Sequence, residues 1–135
     1  MPVSYQMRSC INNQGIIMTK ARVSNCDSRK YVQSLKEFKA NNIWSEWVHD
    51  TNTDTADARY VVYSYNTHWP LFIFDVRTDT WFENISKYGV TTSKHKTQSH
   101  PYTDTTKLHV DDMIKVRNNG VVGMIQPLTW RQVQL

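Results

Sequence analysis

Cysteine is scarce in this chain: only Cys10 and Cys26 occur, neither with a partner at CxxC spacing nor with a histidine pair at zinc-finger spacing. Structural zinc is therefore not expected. No apolar run reaches the ~20 residues that a membrane-spanning helix needs, so no membrane contact is expected. The first residues also lack the charged start, apolar centre and small-residue cleavage site of a secretory signal, and the expectation is a cytoplasmic protein with two free thiols. None of the four glycines in the 135 residues builds a phosphate-binding glycine-rich loop or a dinucleotide fingerprint, and there is no HExxH pair. Asp50, Asp54 and Asp57 stand in a polar run without the central glycine or terminal glutamate of a calcium loop. No metal or cofactor is expected.

Apolar residues make up 39% of the chain and charged residues 21%, outside the range of disordered sequences, and the length suits a single domain over residues 1–135. A net charge of +4 favours the approach of a polyanion without requiring one.

The densest signal is the run from Arg59 to Asp75, rich in aromatic and β-branched residues. Alternation sends Tyr60, Val62 and Ser64 to one face of a strand and Val61, Tyr63 and Tyr65 to the other, so both faces are covered. Pro70 cannot donate to a ladder and belongs at a strand start or an edge. Residues 71–76 and 81–85 follow as strands around a turn at 77–80, and the whole reads as a β-meander over 59–92.

On either side the pattern is more varied. Residues 3–23 spell an opening hairpin around Asn12-Asn13-Gln14-Gly15. The spacing of Tyr31, Leu35 and Phe38 after a run of N-cap residues predicts a helix over 28–41. Trp44 and Trp47, three apart, read as a resumed helix face or a short turn packed on the sheet. Residues 93–107 are polar and contain Pro101, which predicts a mobile loop. Asn118-Asn119-Gly120 predicts the type I′ turn of a C-terminal hairpin over 112–126.

Chemistry concentrates in Thr91-Thr92-Ser93-Lys94-His95-Lys96, three hydroxyls, two ammonium groups and an imidazole, all able to donate to phosphate oxygens. The bland alternative is a solvated polar turn. Tyr63, Tyr65, Trp69 and Tyr88 offer π faces for nucleobases or, equally, the core of a small sheet. His68 and His95 are the candidate acid and base of a metal-independent phosphodiesterase, with Lys94 as electrostatic stabiliser. That chemistry needs the two rings to meet.

Tyr63-Ser64-Tyr65-Asn66-Thr67 followed by Lys87-Tyr88-Gly89-Val90-Thr91-Thr92-Ser93-Lys94-His95 resembles a family of small, mostly bacteriophage-encoded proteins of unknown function. In that family a Tyr-Ser-Tyr strand precedes a Lys-Tyr-Ser-x-Thr-Thr-Ser-Lys-His-Gln signature. The likeness covers roughly residues 60–98 and departs from the family at Gly89, where serine is usual, and at Lys96, where glutamine is usual. It implies a phage origin, action in the host cytoplasm, and a site at Tyr65, Thr91, Thr92, Ser93, Lys94 and His95, but no reaction.

The expected fold is α+β, an antiparallel sheet of about five to seven strands, meander and hairpins, packed against one main helix. The leading function is a phage accessory protein, for host takeover or anti-defence, that binds nucleic acid or a nucleic-acid-handling host factor through residues 91–96. The alternatives are a nuclease or cyclic-nucleotide phosphodiesterase using His68 and His95, and an inhibitor that docks on a host defence enzyme.

Overall fold

The computed structural model of the protein describes residues 20–49 and 58–121. Within them, Ala58–Ser64 is a strand buried along its whole length, as its two-sided apolar pattern requires. It lies in the middle of one seven-stranded sheet whose spatial order follows the chain. The strands are β1 (Ala21–Arg22), β2 (Phe38–Lys39), β3 (Ile43–His49), β4 (Ala58–Ser64), β5 (Pro70–Asp75), β6 (Thr80–Asn84) and β7 (Thr106–Leu108). Three α-helices accompany them: α1 (Ser28–Gln33), α2 (Val90–Ser99) and α3 (Val110–Asn119).

The α+β class holds, but the sheet is mixed and has three helices where an antiparallel sheet and one main helix were expected. The β3 to β6 meander is antiparallel, whereas β1 pairs with β2, and β6 with β7, in parallel. A parallel neighbour needs a crossover, and a helix supplies each one: α1 between β1 and β2, α2 between β6 and β7.

Two cores result. Tyr60, Val62, Phe72 and Leu71 face one way with Val32 of α1, Phe38 and Ile43. Val61, Tyr63, Ile73 and Phe82 face the other way with Met113 and Val116 of α3. A bulge between Val62 and Tyr63 lets Tyr63 pair with Pro70 and Val62 with Phe72, which brings Leu71 and Phe72 into the same core. Pro70 is the first residue of its strand, the position open to a residue without an N–H.

The expected helix over 28–41 stops at Gln33. Leu35 takes φ +58, its N–H bonds to the Val32 carbonyl, and the Lys36 N–H bonds to the Tyr31 carbonyl. This is a Schellman ending with leucine where glycine is usual. Tyr31, Leu35 and Phe38 do reach one core, but as helix, turn and strand, not as one helical face. Trp44 and Trp47 lie on β3, not on a helix or turn. Trp44 packs on Tyr63 in the second core and Trp47 on Tyr60 in the first.

Three further expectations are corrected. The β-meander expected to run to 92 ends at Asn84, and its last residues open α2. The predicted loop over 93–107 contains most of α2 and part of β7. The predicted hairpin over 112–126 is instead α3, which runs to Asn119 and ends at Gly120 with φ +83. Glycine at positive φ serves a helix terminus as well as a hairpin turn, so the dipeptide alone does not separate them. The hairpin's second strand, the opening hairpin up to residue 19 and the run 50–57 lie outside the described residues.

Candidate functional site

Helix α2 carries most of the candidate site, and its geometry sorts those residues by face. Thr92, His95 and Ser99, at spacings of three and four, are buried, whereas Thr91, Ser93 and Lys94 are exposed. The buried side is polar. Ser64 at the end of β4 holds it: its hydroxyl lies 2.8 Å from His95 Nδ1 and 3.3 Å from the Thr92 hydroxyl. Ser99 donates to the His95 carbonyl at 2.9 Å. Burial, with the Lys94 charge added, pushes the His95 imidazole below its ordinary pKa, so it is neutral at pH 7.

The next residue along, Tyr65, has φ +70, costly for a bulky side chain. Its N–H is held by the Asn42 carbonyl at 2.8 Å, and its half-exposed ring lies 5.3 Å from the His95 ring. The two halves of the signature, Tyr-Ser-Tyr and Thr-Thr-Ser-Lys-His, are thus in direct contact.

Lys96 is tied back to the sheet. Its ammonium donates to the Asn84 carbonyl at 2.9 Å and pairs with Glu83 at 3.0 Å. Glu83, 7% exposed, also accepts from Thr105 at 2.6 Å and lies 3.7 Å from Lys107. Burial raises the Glu83 pKa, but the Thr105 hydroxyl and the Lys96 ammonium outweigh it and hold the carboxyl below its ordinary range. Lys96 is therefore a tether between α2 and the sheet.

The two ends of α2 differ. Its C-terminal carbonyls are capped from α1: Arg29 donates to Thr97 and His100, Gln33 to Pro101, and the Arg29 guanidinium lies 3.7 Å from the Tyr102 ring centre. Cations suit this end of the dipole. At the N-terminus Gly89 is the cap and offers no side chain.

Beside the first two turns lies a recess of about 230 Å³. Thr92, Ser93, Lys96 and Thr97 line it from the helix, and Asn84, Lys87 and Tyr88 from the segment leading in. Trp69 completes it, its ring 4.9 Å from that of Tyr88. Of the four candidate stacking residues, Tyr63 is fully buried, Trp69 and Tyr88 form this pair, and Tyr65 stands alone over His95.

Chain comparisons with protein-family models, curated proteins and solved structures found no match.

The candidate acid and base sit in different settings. His68 is exposed on the β4–β5 turn, where Asn66 Oδ1 accepts from its backbone N–H at 2.8 Å, and His95 is 3% exposed with Nδ1 engaged by Ser64. No hydrogen bond joins the two rings among the described residues, and none of these residues cluster as three His, Cys, Asp or Glu able to hold a metal. No helix of the described residues is long and apolar enough to cross a membrane. Sequence reasoning missed Ser64 as the residue that seats α2. Its signal was a serine between two tyrosines, Tyr63-Ser64-Tyr65, at the end of the aromatic strand.

Proposed function

We propose that this protein is a non-enzymatic nucleic-acid-binding module that uses the exposed side of α2 and the recess beside it. The supporting observation is that the Trp69–Tyr88 ring pair closes a recess bordered by Lys87, Ser93 and Thr97. An aromatic face next to an ammonium group and hydroxyl donors suits a nucleotide, whose base stacks and whose phosphate accepts. Lys94 and Thr91 extend the donor surface along the exposed side of α2. In the setting that the phage-family resemblance implies, the protein is an accessory factor acting in the host cytoplasm, on nucleic acid itself or on nucleic acid held by a host protein. Burial of His95, with Nδ1 engaged by Ser64, favours binding over phosphodiester cleavage.

The test is anisotropy of labelled RNA and DNA oligonucleotides at about 50 mM salt, where phosphate contacts are strong. Affinity is expected to fall with salt, and Lys87→Ala with Lys94→Ala to weaken it and flatten the log–log slope by roughly 0.7 per lost phosphate contact on a single strand. Absence of binding at that salt, with the protein folded, would sink the proposal.

A further inference from the structure

From the same surface, and resting on the nucleic-acid reading above, we infer that the ligand is a single strand of at least two nucleotides, one base stacked on the Tyr88–Trp69 pair and its neighbour on Tyr65. Two ring stations flank the first turns of α2. Tyr88 is 69% exposed and backed by Trp69; Tyr65 is 46% exposed and backed by His95. Thr92 connects them structurally, lining the recess on one side and touching Ser64, the neighbour of Tyr65, on the other. Both rings are backed by a second ring and therefore preset for stacking.

Stacking selects for strand state. In a duplex the faces of the bases are already covered by their neighbours, so a ring can take a base face only from an unpaired strand. The recess, about 230 Å³, is below the ~300 to 1,000 Å³ of pockets for drug-sized ligands and has room for one planar group. A second base must therefore go elsewhere, and Tyr65 is the exposed ring on the other side of α2. The exposed hydroxyls of Thr91 and Ser93 and the Lys94 ammonium are donors for the phosphate that joins the two nucleotides. Since Lys96 is spent on Glu83, Lys87 and Lys94 are left as the cations beside α2's first turns, and stacking carries most of the discrimination.

The experiment compares a short labelled single-stranded oligonucleotide with a hairpin duplex of the same sequence, and a dinucleotide with a mononucleotide as competitors. The single strand is expected to bind about ten-fold more tightly than the duplex, and the dinucleotide to compete better than the mononucleotide. Tyr88→Ala should weaken the single strand by about five-fold or more, the lower end of what a stacked base contributes. Tyr65→Asn should do the same, and asparagine tolerates the left-handed backbone that alanine would not, so the variant folds. Duplex binding as tight as single-strand binding, equal competition by the mononucleotide, or no effect of either folded ring variant would overturn the inference while leaving nucleic-acid binding standing. Failure to bind any oligonucleotide would overturn both.

Discussion

The Ser64 hydroxyl and His95 Nδ1 share a hydrogen bond of 2.8 Å with both side chains almost wholly buried. Through it the last residue of the central strand seats the helix that carries the candidate site.

Ser64→Ala removes the partner of His95 and of Thr92 at once and leaves buried polar atoms unpaired. The expected loss of stability is about 1 to 3 kcal/mol, measured by urea unfolding. Ser93→Ala, on the exposed side of the same helix, should stay within about 0.5 kcal/mol of the parent. Equal effects from the two would mean that Ser64 does not seat α2.

Acid should unfold the protein in two stages. Burial lowers the pKa of His95, with the Lys94 charge adding to it. At His100 burial also lowers it, against an opposing pull from Glu83 at 3.6 Å, and the net direction is down. His100 is therefore neutral at pH 7 and that contact is no ion pair there. A base with a depressed folded pKa is protonated first in the unfolded chain, so its stability contribution is complete above its ordinary 6.5 and is lost as pH falls through the folded value. Glu83 adds a second loss below its ordinary 4.5, as pH falls through its own lowered value. Urea midpoints followed from neutral pH downward should decline from about pH 6.5, and Glu83→Gln should flatten the lower stage while deepening the upper one, because it removes the pull that raises the His100 pKa. A midpoint constant down to pH 5 would refute the histidine stage.

The two described glycines should respond in opposite directions. At Gly120 the backbone has φ +83 and ψ 172, and an added Cβ would lie 3.3 Å from an Arg59 guanidinium nitrogen. Gly120→Ala is expected to cost about 1 to 3 kcal/mol, because that region is nearly closed to other residues. Gly89 is extended, with nothing within 4 Å of an added Cβ, and it caps α2. Gly89→Ser should stabilise by a few tenths of a kcal/mol through a hydroxyl cap. Thermal unfolding of both variants decides it.

What could be read from the chain follows from what each segment buries. The β4 to β6 meander was legible because Tyr60, Val62, Phe72 and their neighbours bury apolar groups on a period of two. The helix over 28–41 overran because Tyr31, Leu35 and Phe38 satisfy helical spacing while Leu35 turns the chain, a backbone choice that residue type rarely signals. Helix α2 was invisible to apolar periodicity since its inner face is Thr92, His95 and Ser99, and polar contacts with Ser64, Glu83 and Arg29 hold it. Its residues were nevertheless flagged as a site from their chemistry. That list mixed surface groups with structural ones, because spacing along an assumed loop cannot tell the faces of a helix apart.

Lys94 and Lys96, two positions apart in the same signature, should separate cleanly. Lys94 is exposed, while the Lys96 ammonium is tied to Glu83 and the Asn84 carbonyl. Lys94→Ala should leave unfolding within about 0.5 kcal/mol of the parent and weaken oligonucleotide binding, with a shallower salt dependence. Lys96→Ala strips a buried carboxylate of its nearest cation and should destabilise by about 1 to 3 kcal/mol, Thr105 and Lys107 remaining as partners. Unchanged unfolding of Lys96→Ala would void the assignment of Lys96 as a tether.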